Sequence, residues 1–435
     1  MKTGQIHKGF NPLLPEGPII QSLLNTDFYK FLMLQMIWRF KPKTHATFAV
    51  LNRSPAIRLA DTIAKSDLVA ELDHARGLRF QKNELDWLAA TRFYGKPELF
   101  GPDFLDYLAS FRLPAYELTL RNGTFELRFP GLWSETTLWE VPALAILSEL
   151  LSRAALQAMS PSELDALYAC ACAKLWDKVK RLEALAREGP LAVSDFGTRR
   201  RHGFLWQRWC IEVLRERLRE SFIGTSNVKL AMDLGVAAIG TNAHELPMVY
   251  AALANSDEEL RAAPINVLED WAKLYDGDLL VLLPDTFGST HFLSVAPDFA
   301  ADWFGARPDS KPPIEAGEEL IAWWKGRGRN PAEKRIILSD GMTIDSIEAA
   351  VRHLRGRAMV SIGWGTNLTN DFSGCWPGRL GAAGALPSIV CKVVEAEGRP
   401  AVKLSDNRDK FLGPPEEIAR YERVFHYCRG EAMPV

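Results

Sequence analysis

LAVSDFGTRRRHGFLWQRWCIEVLRERLRESFIGTSNVKLAMDLGVAAIGTNAHE, residues 191–245, repeats one pattern three times. A short apolar run of strand length stops in a loop rich in Gly, Asp, Thr or Ser. The runs are residues 191–193 before SDFGTRR, 222–223 before GTSN, and 236–239 before GTNAHE. Downstream the pattern recurs at 279–283 before PDTFG, 303–304 before GARPDS, 335–338 before SDG and 359–362 before GWGTN. Helical sequence separates most of these units. In a β/α barrel all the βα loops open on one face, so ligand groups gather there. A doubly wound sheet collects ligands at a single switch point instead. Seven such loops predict an α/β fold of the β/α barrel kind, with the barrel incomplete.

Working outward, residues 140–188 and 203–220 read as long helices, and residues 23–40 as an apolar, aromatic helix. Residues 47–51 are β-like, and 124–129 (TFELRF) alternate with the period of a half-buried strand. Residues 388–395 and 401–404 predict a β-hairpin around Gly398 that returns to the first domain's sheet. The expected organisation is an N-terminal α/β domain over 1–138, the barrel over 139–385, and a C-terminal segment over 386–435. No repeat of the solenoid kind is present.

Composition narrows the function. The 435 residues are 47% hydrophobic and 24% charged, with 52 Lys plus Arg against 54 Asp plus Glu and a formal net charge of -2. Duplex-binding proteins are usually more basic, so nucleic acid is not the expected partner. Cys170, Cys172, Cys210, Cys375, Cys391 and Cys428 are scattered without a CxxC pair, which predicts neither a disulfide framework nor a zinc site. Residues 1–21 do not read as a signal peptide, and no run approaches the ~18 apolar residues of a membrane helix. The expected location is the cytoplasm.

The polar loops carry the chemistry. Gly363, Trp364, Gly365 and Thr366 follow an apolar strand, where glycines expose backbone N–H groups to an anion. Taken alone, GxGT is equally a tight turn. Asp195 to Arg201 (DFGTRRR) sets Arg199, Arg200 and Arg201 after a strand, and Arg binds phosphate bidentately while staying charged. Asp285, Asp309 and Asp340 each stand beyond a strand, where carboxylates suit hydrated Mg²⁺ or sugar hydroxyls. His244 in GTNAHE is a candidate base, nucleophile or metal ligand, although a lone histidine is more often structural. No second His follows at helical spacing, so HExxH is excluded. In NTDFYK, Tyr29 is an aromatic that could stack on a flat ring.

Jointly, LLNTDFYK (23–30), DFGTRR (195–200), GTSN (224–227), IGTNAHE (239–245), RPDS (307–310), SDG (339–341), GWGTN (363–367) and KLSD (403–406) resemble the nicotinate phosphoribosyltransferase family. The resemblance spans about residues 23–406. It implies the type II phosphoribosyltransferase fold, an irregular α/β barrel with an N-terminal α/β domain. It implies transfer of ribose 5-phosphate from phosphoribosyl pyrophosphate to nicotinate with Mg²⁺, coupled to ATP hydrolysis through a phosphohistidine at His244. By the same resemblance Tyr29 and Phe196 hold the pyridine ring, and Arg199 meets the substrate carboxylate or phosphates. Thr198, Ser226 and Asn227 belong to the substrate site, and Asp340 takes the ribose hydroxyls. Gly365 and Thr366 take the 5-phosphate, and Asp285, Arg307 and Asp309 surround pyrophosphate and metal. The resemblance also implies a homodimer with shared active sites, Tyr29 reaching the partner's barrel.

Two departures stand out. After the Asp309-Ser310 pair, Lys311-Pro312-Pro313 stands where the family has a glycine, an acidic residue and a proline, and Trp364 is bulky between two glycines. Three alternatives remain at this stage: a nicotinamide phosphoribosyltransferase, a quinolinate phosphoribosyltransferase, and a non-catalytic barrel that senses a nucleotide. Ser226 and Asn227 put no carboxylate in the GTSN loop, which favours the acid over the amide.

Overall fold

The computed structural model describes residues 17–54, 56–377 and 387–427. The segment 1–16, the end of the chain from 428 and Cys428 itself therefore lie outside the described residues, with the readings that rest on them.

The N-terminal part is built on an antiparallel sheet. Strands β1 (His45–Asn52), β2 (Glu117–Arg121) and β3 (Thr124–Leu132) form it together with two late strands. In β3 the expected alternation is present, with Phe125, Leu127 and Phe129 buried and Glu126 and Arg128 exposed. Late in the chain, β10 (Ile389–Ala396) pairs antiparallel with β1 in the register Val50↔Cys391. The predicted return of the C-terminal hairpin to this sheet is observed. Its second arm is shorter than residues 401–404: only β11 (Arg399–Pro400) pairs with β10, while Lys403 bridges to Leu412.

The second sheet is wholly parallel. Its strands are β4 (Val193–Asp195), β5 (Phe222–Thr225), β6 (Val281–Leu282), β7 (Gly305–Ala306), β8 (Arg335–Leu338) and β9 (Met359–Trp364). They run in the order β5-β4-β9-β8-β7-β6. Three expectations need correction. The first strand lies two residues later than read, so Ser194 and Asp195 belong to it rather than to its loop. Trp303 and Phe304 precede β7, which begins at Gly305. There a Cβ would come 2.1 Å from the carbonyl oxygen of Arg335, so the strands pack too closely for a side chain. Residues 236–239 are not a strand; Ala238 makes one bridge to Thr225. That segment still stands between the two ends of the sheet. On one side Thr225 of β5 donates to the Ala237 carbonyl at 3.0 Å and accepts from Ile239 N at 2.9 Å, and on the other the Asn242 amide donates to the Val281 carbonyl of β6 at 3.0 Å. Among the described residues no ladder joins β5 to β6, and this side-chain bond stands where a closed barrel would have one.

Helix α1 (Phe28–Phe40) starts later than the apolar run suggested. Residues 24–27 are instead held against the loop after β5. Phe28 N donates to Ser226 O at 2.7 Å, Val228 N to Thr26 O at 3.0 Å, and Lys229 N to Leu24 O at 2.8 Å. These bonds bring Tyr29 to the barrel of its own chain. Gly240 permits the approach, since a Cβ there would lie 2.8 Å from the Tyr29 nitrogen.

Below Tyr29, Lys30 is fully buried between two carboxylates. Its Nζ lies 2.6 Å from Glu140, the first residue of α2 (Glu140–Gln157), and 2.5 Å from Glu245, the first residue of α3 (Glu245–Ala252). The other Glu245 oxygen accepts the Trp133 indole N–H at 2.6 Å. Burial opposes the charge on Lys30, but Glu140 and Glu245 outweigh it and raise its pKa well above the usual lysine range. Breaking one partner of a buried pair typically costs about 3–5 kcal/mol, because the remaining charges lose compensation. Lys30→Met should therefore lower the urea midpoint strongly. Adding Glu140→Gln and Glu245→Gln to it should recover most of that loss, and an unchanged midpoint in Lys30→Met would contradict the account.

Candidate active site

A cavity of about 580 Å³ opens among the loops at the carboxyl ends of the parallel strands and continues between the strands. Ser194, Ile223, Ile337 and Ser361 line its middle, and Tyr94, Asp278 and Arg335 its far end. Tyr29, Phe196, Arg199, Ser226, His244, Arg307, Asp309, Asp340, Gly365 and Thr366 all line it. Sequence reasoning scattered them over most of the chain, and the fold brings them together. Asp285, Thr198 and Asn227 do not reach the cavity surface. Asn227 caps the helix Val228–Leu234, its side chain accepting from Leu230 N at 3.1 Å. The Thr198 hydroxyl lies 3.5 Å from Ser226 Oγ and accepts from Gln207 at 3.1 Å.

At one wall Arg199 faces Tyr29, its guanidinium carbon 6.0 Å from the ring centroid. Arg199 Nε lies 3.4 Å from Asp27 and Nη1 3.3 Å from Glu140, so neither contact uses Nη2. The GTSN loop supplies no carboxylate of its own, as read, but a carboxylate from elsewhere in the chain stands beside Ser226. Ser226 Oγ lies 2.7 Å from Asp27 Oδ1, and Asp27 lines the cavity. The Asp27 carboxylate is carried there by the extended segment before α1, so the GTSN loop alone could not reveal it. Tyr29 likewise reaches this cavity from within its own chain, which corrects the expectation that a partner subunit is needed to supply it.

The phosphate-loop glycines have separate jobs. Along β9, Trp364 turns away from the cavity, is fully buried and donates its indole N–H to Met342 O at 3.0 Å. Its bulk therefore fills the core and not the loop. Gly363 faces the other way, where a Cβ would sit 2.3 Å from the Phe196 ring. This glycine makes room for an aromatic rather than for an anion.

His244 lies deeper. Its Nδ1 is 3.0 Å from the Thr286 hydroxyl and its Nε2 3.2 Å from Asp309 Oδ2, with Asp285 at 3.8 Å. Burial and the nearby Lys403 cation keep the imidazole pKa well below its ordinary value, so the ring is neutral. Burial pushes the Asp309 carboxyl up, but Arg307 at 3.0 Å and His244 outweigh it and hold it well below the usual range. An ionised Asp309 can only accept, so Nε2 carries the imidazole proton and Nδ1 accepts from Thr286.

Asp285 is wholly buried, its pKa raised to about 6 by burial. Its Oδ2 accepts from Ser310 at 2.7 Å, and its Oδ1 has no protein partner. Nearby, Lys403 is pulled down to about 8 by burial, against Asp285 and Asp309. Asp340 accepts from Lys410 at 2.5 Å.

The model for the nicotinate phosphoribosyltransferase (NAPRTase) family matches residues 191–428, and that for its N-terminal domain matches residues 24–148. The chain belongs to the nicotinate phosphoribosyltransferase family. Its fold is similar to that of the nicotinate phosphoribosyltransferase from Vibrio cholerae, with TM-score 0.84 and 30% identity over 96% of each chain. The Porphyromonas gingivalis enzyme matches with TM-score 0.79 and 28% identity, over 94% of this chain and 100% of that one. A Saccharomyces cerevisiae structure at 24% identity shares the fold, with TM-score 0.77 over 95% and 100%. Among the described residues no helix is long and apolar enough to cross a membrane.

Several cavity residues escaped the sequence reading. Lys392 on β10, with Lys403 and Lys410 beyond it, adds three cations from the end of the chain to the cavity lining. A signal existed in the expected hairpin: the alternation Cys391 in, Lys392 out puts a lysine on the face opposite the core. Lys392 lies 3.1 Å from Glu140 and so joins the Lys30 network. Gly363→Ala should displace the Phe196 ring and weaken nicotinate binding by about tenfold, the scale of one aromatic contact. Calorimetric titration checks this, and unaltered affinity would mean that Phe196 does not touch the base.

Proposed function

We propose that this cavity forms nicotinate mononucleotide and pyrophosphate from nicotinate and phosphoribosyl pyrophosphate, with ATP hydrolysis coupled through a phosphohistidine at His244. The observation that carries this reading is a neutral, buried imidazole sharing one cavity with Arg307 and Asp309 and with the Tyr29–Arg199 wall. A protonated histidine has no lone pair to attack phosphorus, so neutrality is what a nucleophile requires. The Thr286 hydroxyl both donates and accepts. It can therefore accept Nδ1–H once the ring changes tautomer, which frees the Nε2 lone pair for the γ-phosphate.

In the transfer itself the pyridine nitrogen attacks the anomeric carbon as the bond to pyrophosphate breaks. That nitrogen carries no proton at neutral pH, so no base is needed, and the leaving group departs as a stabilised anion. The protein's share is to orient the ring, exclude water and neutralise charge. Tyr29 and Phe196 would flank the ring, and Arg199 Nη2 would take the carboxylate. Asp340 would bind the ribose hydroxyls once Lys410 leaves it for a phosphate. Gly365 and Thr366 would receive the 5-phosphate, and Arg307 the pyrophosphate.

Mg²⁺ fits the donor set here. Asp285 Oδ1 is a buried carboxylate oxygen without a protein partner, and Asp309 is a second hard donor nearby. No group of three ligating side chains exists among the described residues, so the ion would share its shell with substrate phosphates and water. Bound, it would neutralise charge on the pyrophosphate. We further propose a cytoplasmic homodimer in which Tyr29 serves its own chain.

One observation favours a second reading. Asp27 beside Ser226 offers a carboxamide an acceptor, as a nicotinamide phosphoribosyltransferase would need.

ATP labelled at the γ-phosphate should mark the protein in an acid-labile, alkali-stable form. His244→Ala should lose the label and ATP hydrolysis while keeping uncoupled transfer. ATP-stimulated turnover at the unmutated rate in that variant would sink the assignment.

A further inference from the structure

The hydrogen bond between Ser226 and Asp27 raises a difficulty that hydrogen counting resolves. Ser226 Oγ lies 2.7 Å from Asp27 Oδ1, both side chains are at most 3% exposed, and both line the cavity. An ionised carboxylate can only accept. While Asp27 is ionised, the Ser226 hydrogen is committed to it, and the hydroxyl offers the cavity only lone pairs. Lone pairs suit an amide N–H and repel a carboxylate. Arg199 is divided as well, since its Nε faces Asp27 at 3.4 Å and its Nη1 faces Glu140 at 3.3 Å. A nicotinate carboxylate arriving at Arg199 Nη2 would add a third negative group to one cation.

We propose that Asp27 is a specificity-determining proton acceptor, and that nicotinate binds together with one proton taken up by its carboxyl group. In the free site Arg199 and the Ser226 and Thr198 hydroxyls favour the Asp27 anion against burial. When the substrate carboxylate draws on Arg199, Asp27 loses that compensation and takes a proton from solvent. Protonated, it donates to Ser226 Oγ, and the Ser226 hydrogen turns to the substrate carboxylate. The site thus accepts an acid without changing its net charge, and nicotinamide gains nothing from the exchange.

The surroundings are consistent with this. Burial raises the Asp27 pKa, opposed by Arg199 and by the Ser226 and Thr198 hydroxyls, while Glu140 adds to the rise. The remaining ionisable neighbours are Tyr29, next to it on the chain, and Asp195 on β4. The substrate carboxylate is the one added charge, and it acts in the same direction as Glu140.

The inference rests on the reading that the pyridine ring lies by Tyr29, Arg199 and Ser226. It is tested by calorimetric titration of nicotinate at about pH 8, in buffers of differing ionisation enthalpy, where the ligand itself does not titrate. Uptake of about one proton is expected with the unmutated protein and none with Asp27→Asn, whose amide donates to Ser226 permanently. Nicotinate affinity should fall by about tenfold per pH unit once Asp27 is ionised in the free protein, and stay level in Asp27→Asn. Binding without proton exchange, combined with loss of affinity in Arg199→Ala, overturns the proton coupling and leaves the site reading intact. Nicotinate affinity unchanged at every pH in both variants overturns the site reading itself. Loss of nicotinate binding in an Asp27→Asn protein with an unchanged melting temperature also defeats the proposal, because the amide should mimic the protonated acid.

Discussion

Lys30, without contact with solvent, sits between Glu140 and Glu245, and much of the architecture follows from keeping it paired. Removing an ammonium from water costs several kcal/mol even after relaxation, so the structure must hold both carboxylates within bonding distance. Those carboxylates begin two different helices, and Lys392 from the C-terminal strand β10 and Arg199 from the loop after β4 also reach Glu140. One buried cluster thereby joins the first helix, the antiparallel sheet, the parallel sheet and the returning end of the chain. Glu245 follows His244 directly, so the clamp on the glutamate also sets where the imidazole stands.

The parts of the fold legible in the sequence are those whose determinants are local. Runs such as 335–338 and 359–362 announced strands because their apolar character is local, and β8 and β9 match them closely. Residues 236–239 have the same composition yet make only one bridge, since what decides strand pairing there is the geometry of a closing ring. Trp303 misled in the same way: its bulk fills the core beside β7, and the strand needs the glycine after it. The antiparallel return of β10 was readable as a hairpin. Its Lys392 as a cavity residue was not, because its placement depends on pairing with β1 more than 300 positions earlier.

Site residues divide along the same line. Phe196, Arg199, Asp309 and Gly365 stand in loops beside their own strands and His244 follows the unpaired run 236–239, and all line the cavity. Thr198, Asn227 and Asp285 come from those loops too, but they turn inward to cap a helix or to support neighbours. A loop motif gives the neighbourhood, whereas the direction of each side chain depends on the backbone angle at that residue. Tyr29 was recognised as an aromatic of the site, and the backbone bonds between residues 24–28 and 226–229 explain how it arrives within one chain.

Ser226 carries the argument one step further, to a property that neither motif nor coordinates alone display. A serine in GTSN looks like a neutral group placed where a charged residue would repel an acid. In the folded protein its polarity is not its own, because the partner 2.7 Å away determines whether the hydroxyl donates or accepts toward the cavity. That partner is a buried carboxyl whose proton depends on Arg199, and Arg199 in turn answers to Glu140 and the Lys30 cluster. If nicotinate binds with a proton taken up by Asp27, as proposed, recognition of an acid over an amide becomes a question of where that proton rests, and Lys30 bears on it through Glu140 and Arg199.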